Sequence, residues 1–243
     1  MMQQVTKTEK IVNHYQISHF LSEENFSRLE EIMYPQNAPE GSHLFWEGEP
    51  ATKMFYVHKG EVKITKSTED GKEFILQILQ PGDFFGEFGG FDDLQYGYNG
   101  EATQDSVVGA VQIKDLEILI YQHGDFAVEF FRWIGLMQRT IQSKFRDLML
   151  FGKNGALAST LIRLTNTCGE ILPDGSIRLG IKLTNTDLAN MIGTTRESVN
   201  RLLSTYKSHG VVSYDHSLIV IHDLDYLKKI VCCPNCPAEV CRI

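Results

Sequence analysis

The chain has 243 residues, of which 42% are hydrophobic and 22% are charged, and its formal net charge is −8. This length accommodates one large or two modest domains, and the composition is that of a globular protein, not of a disordered or fibrous one. No stretch approaches the roughly 20 consecutive apolar residues of a membrane-spanning helix, and residues 1–10 lack the apolar core of a secretory signal. We therefore expect a cytoplasmic protein that does not enter a membrane.

The charge is divided unevenly along the chain. Residues 1–151 contain 13 Lys and Arg against 23 Asp and Glu, a net charge of −10, whereas residues 152–231 contain 9 against 7, a net charge of +2. An acidic first part and a mildly basic second part favour two domains with different tasks. A balance of +2 is also that of an average protein surface, so charge alone does not predict binding to nucleic acid.

Residues 40–122 are divided by glycines at short intervals, with short β-rich runs between them. Three such runs lie at 54–57, 61–65 and 74–79, and Asp70-Gly71 is a two-residue hairpin signal between the last two. Many short strands with such turns predict an antiparallel β-roll, or jelly roll. The first predicted domain, residues 1–122, therefore consists of N-terminal helices and this roll.

The period of the apolar residues changes to that of a helix between Gly124 and Phe151. Seven of them form one stripe, at spacings of 4, 4, 3, 4, 4 and 3: Phe126, Phe130, Ile134, Met137, Ile141, Phe145 and Leu148. The stripe is close to coiled-coil register, which favours pairing with a parallel copy of the helix in a homodimer. The alternative is a helix that packs only on its own roll. Residues 123–151 are thus the predicted dimerisation helix, and residues 152–155 a predicted hinge.

Residues 152–230 predict a winged helix-turn-helix. A helix over 156–168 and a strand near 177–181 precede two short helices joined at Gly193, and residues 211–221 form a hairpin, the wing. Thr184 or Thr186 can cap the first short helix, and Thr194 or Thr195 the second. The apolar positions of the two helices are Leu188, Ala189, Ile192, Val199, Leu202 and Leu203.

The polar face of the second short helix carries groups that read DNA bases. Arg196, Glu197, Asn200 and Arg201 lie opposite the apolar positions. In a helix-turn-helix the second helix enters the major groove, where Arg binds guanine O6 and N7 and Glu accepts from cytosine N4. The pattern therefore predicts binding to double-stranded DNA. The alternative, a helix pair inside a small enzyme, explains neither the wing nor the exposed Arg-Glu-x-x-x-Arg face. An enzyme or an iron–sulfur electron carrier is a separate alternative, which the lack of a nucleophile–base pair and of a Gly-rich phosphate loop disfavours.

Four of the five cysteines lie in the tail, residues 231–243. Cys233, Cys236 and Cys241 form a C-x2-C-x4-C run, directly preceded by Cys232. Prolines after Cys233 and Cys236 exclude regular structure there, so a loop can turn the thiols inward. Convergent thiolates indicate a soft-metal site for an iron–sulfur cluster or zinc, one ligand short of the usual four. The alternative is a disordered end with incidental thiols.

At this point the chain resembles the CRP/FNR superfamily of dimeric transcription regulators. The resembling features are Gly82-Asp-Phe-Phe-Gly-Glu87, the long helix and Thr194-Thr-Arg-Glu-Ser-Val-Asn-Arg201. The last segment is similar to the CRP-type recognition helix, in which two Arg and the Glu read a TGTGA half-site, whereas the FNR type lacks the first Arg and reads TTGAT. The resemblance implies a palindromic operator, RNA polymerase as a further partner, no enzymatic activity, and phosphate contacts at Thr184, Thr195 and Ser198.

The roll departs from the family pattern for binding a cyclic nucleotide. Nucleotide-binding members follow the Gly-Glu element with an Arg-Ser or Arg-Thr pair that holds the phosphate, and here the aligned residues are Gly97 and Tyr98. No Lys or Arg occurs from Glu73 to Ile113. A cyclic phosphate would lack a cationic partner, so we predict a roll that does not bind a nucleotide. The alternative is a regulator that senses another small ligand in the roll.

The tail resembles that of the FNR regulators of Gram-positive bacilli, which hold a [4Fe-4S] cluster with three Cys and an Asp near the end of the dimer helix. The matching Asp is Asp147. The resemblance implies an oxygen-responsive activator of anaerobic genes with Cys233, Cys236, Cys241 and Asp147 as ligands. A site with zinc or with redox-active thiols is the alternative. The rival fourth ligands are Cys232, Glu239 and His222, whereas Asp147 could instead be a solvated or Arg-paired acid, and Cys168 is predicted to be a core residue.

Overall fold

The computed structural model describes residues 9–10, 16–89 and 93–243. It divides into two compact units. The roll unit comprises residues 14–137, and the C-terminal unit comprises residues 138–243 together with the first strand of the chain. Within the described part of the chain, no helix is long and apolar enough to cross a membrane.

The described elements are as follows in chain order. The strands are β1 Glu9–Lys10, β2 Met33–Ala38, β3 His43–Phe45, β4 Lys53–Lys59, β5 Val62–Ser67, β6 Glu73–Leu79, β7 Phe84–Gly86, β8 Asn99–Ala102, β9 Ser106–Gln112, β10 Gly169–Ile171, β11 Ile177–Leu179, β12 Val212–Asp215 and β13 Leu218–Ile221. The helices are α1 Glu23–Glu31, α2 Ile113–Gln122, α3 Gly124–Leu150, α4 Gly152–Cys168, α5 Asn185–Ile192, α6 Arg196–Ser208 and α7 Leu224–Ile230.

The roll unit contains two four-stranded antiparallel sheets, in the orders β2-β9-β4-β7 and β3-β8-β5-β6. One core joins both sheets, because alternate residues of their strands point to a common interior. It includes Phe45, Phe55, Val57, Ile64, Phe85 and Val108. This architecture confirms the predicted fold class. The turn between β5 and β6 is longer than the predicted two residues, since it spans residues 68–72, with Gly71 at a φ of +77°.

The apolar stripe of α3 serves two different purposes, which corrects its interpretation as one dimer seam. Phe126 and Phe130 are fully buried in the core that α1, α2 and the outer face of the first sheet form within the roll unit. In the C-terminal unit, Ile141 and Phe145 are 62% and 64% exposed within one chain. The alternative, packing on its own roll, is therefore right for the first part of the helix, and pairing with a second copy stays a prediction for the last turns. The last turns present an apolar face that no side chain covers in the part of the chain that the structure describes.

The C-terminal unit is built around α4, whose residues from Gly155 to Thr165 are all buried. The helix begins at Gly152, not at residue 156, so the predicted hinge over 152–155 is its first turn. Only Phe151 separates α3 from α4, and Gly152 there has a φ of +58°. The sheet of this unit has the order β1-β10-β11-β13-β12, and the edge strand β1 was not predicted from the sequence.

The helix-turn-helix lies where it was predicted, and the structure decides between the alternative caps. Thr184 caps α5 in a capping box with Asp187: the Thr184 hydroxyl accepts from the Asp187 N–H, and the Asp187 carboxylate accepts from the Thr184 N–H at 2.8 Å. Gly193 ends α5 in the left-handed conformation, and Thr195 caps α6. The wing follows as β12 and β13, which a two-residue turn connects.

We predict that Thr184→Ala destabilises the C-terminal unit by about 1 kcal/mol, because the Asp187 N–H at the start of α5 loses the hydroxyl that accepts its hydrogen bond. Chemical denaturation followed by circular dichroism measures the change. Thr186→Ala is the matched control, since this exposed residue lies inside α5 and alanine favours a helix there. Equal losses in the two variants would contradict the assigned cap.

We also predict that Ile141→Asp disrupts the dimer, because the pairing of two α3 helices would bury an unpaired carboxylate from each chain. Gln142→Asp places the same charge on the adjacent exposed residue and should leave the dimer intact. Sedimentation velocity distinguishes the two species. An unchanged dimer of Ile141→Asp would mean that the chains associate through a different surface.

Candidate nucleic-acid interface and metal centre

The outer face of α6 presents the predicted base-reading side chains to solvent. Arg196, Glu197, Asn200 and Arg201 are all exposed, whereas Val199 and its apolar neighbours are buried against the rest of the unit. In the described part of the chain, neither arginine forms a salt bridge within 4.0 Å. Their guanidinium donors are therefore available for a ligand, as base recognition in a major groove requires.

The three predicted phosphate contacts differ in their surroundings. Thr184 and Thr195 are exposed caps at the N-termini of α5 and α6, where backbone N–H groups and the helix dipole favour an anion. Ser198 is buried, and its hydroxyl oxygen accepts a hydrogen bond from the Thr195 hydroxyl at 3.2 Å. The structure thus places Ser198 beneath the surface, where it supports the cap of α6.

The tail is not a loose end, because it packs along α4. Val240, Arg242 and Ile243 are buried. The Asn166 amide donates to the Cys241 carbonyl at 2.7 Å, and the Ile243 N–H donates to the Thr167 hydroxyl at 3.1 Å. These contacts contradict a disordered end, and metal binding by the thiols stays a prediction.

Asp147 lies on the face of α3 that contacts α4, and it is only 4% exposed. Its Oδ2 accepts from the Ser159 hydroxyl at 2.6 Å and from Arg163 Nη2 at 2.7 Å, and its Oδ1 accepts from Arg146 Nη2 at 2.6 Å. Burial raises the pKa of Asp147, but the hydrogen bonds from Ser159, Arg163 and Arg146 outweigh it, so the pKa lies below its ordinary value. The carboxylate is therefore charged and paired with arginine.

The three tail thiols and Asp147 occupy one region of the C-terminal unit. Burial raises the pKa of Cys241, and the neighbouring charges of Cys233, Cys236 and Asp147 raise it further, whereas Arg163 lowers it. The pKa of Arg146 is raised, first by its hydrogen bond with Asp147 and also by one with Cys236. Three thiols from one loop and one carboxylate from α3 are thus close enough to influence one another.

Cationic side chains surround this region. Burial, with added repulsion from Arg163 and Arg242, lowers the pKa of Lys144 to about 7. Arg146 and Arg163 both pair with Asp147, and they also interact with the thiols of Cys236 and Cys241, respectively. When thiols and carboxylate bind a metal as anions, their negative charge needs such compensation in a buried site.

The rival ligands lie less favourably. Cys232 is exposed and has a φ of +44°, and Cys168 forms a hydrogen bond from its thiol to the Leu164 carbonyl within α4. His222 is an exposed wing residue in a hydrogen bond with Ser213 at 2.7 Å. Glu239 is partly buried in the tail itself. Asp147 is the candidate that connects the tail with another element.

The possible metal ligands of the tail and α3 do not form a compact single-ion group. Among the described residues, no three Cys, His, Asp or Glu side chains are gathered closely enough to hold one metal ion. Zinc would require its ligands at about 2.0–2.3 Å from one centre. Each protein ligand of an iron–sulfur cube binds a different iron atom, so more widely spaced ligands suit it.

The roll interior is occupied by aromatic rings near the positions aligned with the nucleotide-binding pair. The rings of Phe45 and Tyr96 stack at 3.9 Å, and Tyr98 lies 5.8 Å from Phe45. The Glu87 carboxylate accepts from the Gly97 N–H at 3.3 Å. These groups offer rings and a carboxylate, not cations, to a phosphate.

One basic group does approach this part of the roll, which the sequence search missed because it belongs to another strand. Lys66 of β5 donates to the Gly97 carbonyl at 2.9 Å and also pairs with Glu47. Its charge is already compensated by that carboxylate. The sequence also gave no role to Arg163, although it is the only charged residue between 156 and 168.

Sequence comparison identifies relatives along nearly the whole chain. A cyclic nucleotide-binding domain model matches residues 35–123, and a Crp-like helix-turn-helix domain model matches residues 155–230. The chain is 40% identical over 228 residues to the "Anaerobic regulatory protein" of Bacillus subtilis strain 168, which covers 93% of this chain and 95% of that protein. It is 28% identical over 203 residues to the "CRP-like cAMP-activated global transcriptional regulator" of Mycobacterium tuberculosis H37Rv, with coverage of 83% and 89%.

Solved structures show the same fold. FixK2 from Bradyrhizobium japonicum matches with a TM-score of 0.70 at 21% identity, over 82% of this chain and 97% of that one. A CooA variant from Carboxydothermus hydrogenoformans matches with a TM-score of 0.71 at 23% identity, over 84% and 89%. With the match to the Bacillus protein along nearly its full length, these findings show that the chain belongs to the CRP/FNR family of DNA-binding transcription regulators.

Proposed function

We propose that this regulator responds to oxygen and controls anaerobic genes through a [4Fe-4S] cluster held by Cys233, Cys236, Cys241 and Asp147. With the cluster intact, a homodimer binds a TGTGA-type palindrome in the cytoplasm and recruits RNA polymerase as an activator. The observation that carries this proposal is the docked tail, whose three thiols share one region with the buried carboxylate of α3. The similarity to an anaerobic regulator over 93% of the chain supports it.

The bound cluster would supply an oxygen-labile connection between two elements of the C-terminal unit. Asp147 belongs to α3, and the cysteines follow α7. Asp147 and the cysteines therefore fix the end of α3 against the domain that carries α6. A carboxylate is a harder and weaker ligand for iron than a thiolate, which favours loss of this connection on oxidation. With this connection intact and with it lost, the recognition helices would adopt two different arrangements, and these would differ in DNA affinity.

The two alternatives from the sequence receive less support. Redox-active thiols have a lowered pKa and are accessible, whereas burial raises the pKa of Cys241. A nucleotide-like ligand in the roll would face the Glu87 carboxylate and the Tyr98 ring, and Lys66 there is paired with Glu47.

The proposed operator predicts that Arg196→Ala and Arg201→Ala each weaken binding to a TGTGA-type palindrome by roughly 1–3 kcal/mol and relax base preference at the half-site. Fluorescence anisotropy with the palindrome and with single-base variants measures both effects. Lys207→Ala is the control, because this exposed residue lies in the last turn of α6. Parental selectivity in either arginine variant would exclude the proposed docking.

The proposed ligands predict that Cys233→Ser, Cys236→Ser and Cys241→Ser each abolish incorporation of iron and sulfide during anaerobic reconstitution. Cys232→Ser and Cys168→Ser should retain parental contents, because these thiols lie outside the converging set. Chemical analysis of iron and sulfide gives the result. Zinc in place of iron and sulfide in the parental protein would refute the cluster.

Asp147 requires a milder test, because its loss also leaves Arg163 without its carboxylate partner. Asp147→Asn keeps an oxygen that accepts from Arg163 but removes the anionic ligand. We expect a cluster that forms and is lost sooner in air than the parental one, with weaker DNA binding. Parental iron content, oxygen lifetime and DNA affinity together would remove Asp147 from the site.

A further inference from the structure

Arg163 uses every N–H group of its side chain within the C-terminal unit. Nε donates to the Ser159 hydroxyl at 3.2 Å, and Nη2 donates to the Ser143 hydroxyl at 2.6 Å and to Asp147 Oδ2 at 2.7 Å. Nη1 donates to the carbonyls of Val240 and Arg242 at 3.2 and 3.4 Å. A guanidinium has five such donors, and here all five have acceptors.

These acceptors belong to separate parts of the chain. Ser143 and Asp147 lie on α3, Ser159 lies on α4 beside Arg163 itself, and the two carbonyls flank Cys241 in the tail. One buried side chain therefore joins the helix that carries the carboxylate to the loop that carries the thiols. Every bond in this set is between protein groups, so the connection does not require a metal.

The two oxygens of Asp147 have unequal partners. Oδ2 is held by Ser159 and by Arg163, whose side chain is 3% exposed, whereas Oδ1 is held by Arg146, whose side chain is 36% exposed. The Arg146 guanidinium also reaches Cys236. Oδ1 thus shares Arg146, a partner that water can replace, with Cys236, whereas Oδ2 is bonded to the buried residues Ser159 and Arg163.

Resting on the proposed function, we propose that Arg163 is a positioning residue for the cluster ligands. It holds Asp147 through Oδ2 and the segment around Cys241 through two carbonyls, so that Oδ1 and the thiols point to a common space. For Oδ1 to bind iron, Arg146 would have to release that oxygen, whereas Arg163 and Ser159 would keep their hydrogen bonds to Oδ2.

Lysine cannot replace arginine in this role. A single ammonium group has three donors at one point, whereas the planar guanidinium spans Asp147 on one side and the tail carbonyls on the other. Arg163→Lys retains a positive charge beside Asp147, so it weakens the connection to the tail without burying an unpaired carboxylate.

The first arm of the test measures the tail in protein treated with a chelator, so that no metal contributes. We expect Arg163→Lys to increase hydrogen exchange of the amides in residues 240–243 about tenfold, as the loss of bonds to a charged donor implies. Arg139→Lys is the matched control, because it makes the same change at an exposed position of α3 and should leave exchange unchanged. Parental exchange in Arg163→Lys would overturn the proposal.

The second arm measures the lifetime of the reconstituted cluster in air, from the decay of its visible absorption. Arg163→Lys should shorten the lifetime several-fold. Arg146→Gln should keep or lengthen it, because the guanidinium of Arg146 then no longer competes with iron for Asp147 Oδ1. A lifetime that falls only in Arg146→Gln would assign the positioning role to Arg146 and overturn the proposal.

The two arms distinguish failure of the inference from failure of the proposed function. A parental protein that takes up no cluster refutes the function, and the exchange arm then still decides whether Arg163 holds the tail. If Arg163→Lys does not fold, Ser159→Ala is the second variant, since it removes the hydroxyl that connects Arg163 Nε with Asp147 Oδ2. It should increase exchange of the tail amides about threefold, and parental exchange in it would overturn the proposal.

Discussion

The arrangement of the C-terminal unit depends on one buried ion pair, between Asp147 and Arg163. The two residues are 4% and 2% exposed, so both charges are almost fully removed from water. Breaking such a pair from one side costs about 3–5 kcal/mol, because the remaining charge is left without compensation. The pair therefore fixes the end of α3 against α4, and the remaining donors of Arg163 extend that constraint to the tail.

Helix α4 connects this ion pair with the DNA-reading surface. The first turn of α4 contains Asn154, which forms hydrogen bonds with the Tyr206 hydroxyl at 3.0 Å through its carbonyl and at 2.8 Å through its side chain. Tyr206 belongs to α6 and is 1% exposed. A change at the tail can reach the recognition helix through α4, which contacts both. Asp147, the tail, α4 and α6 all belong to one compact unit.

Local patterns in the sequence predicted the parts of the fold that depend on local physics. The cap candidates and the glycine turn located the starts of both short helices, because Thr184, Gly193 and Thr195 satisfy helix ends without help from distant residues. The stripe of α3 was misread, since a helix that packs on a sheet and one that pairs with another helix share the same spacing. Phe126 and Phe130 gave no sign of which surface would bury them.

Arrangements that bring distant residues together were beyond the sequence. The convergence of Asp147 with the tail was inferred from a resemblance, and its pairing with Arg163 depends on the packing of α3 against α4. Lys66 reaches Gly97 only because β5 and β8 are neighbours in the roll. Such contacts need tertiary structure, whereas a lone charge on a buried helix, as at Arg163, is a signal that a sequence does contain.

In the function that we propose, the docked tail and Asp147 hold an oxygen-labile cluster that controls DNA binding. The most direct test records the visible spectrum of the anaerobically purified protein and its affinity for a palindromic operator in the same sample, before and after exposure to air. The account predicts a broad iron–sulfide charge-transfer absorption that fades in air together with the DNA affinity. A colourless protein, or one that keeps its DNA affinity after the absorption has gone, would contradict it.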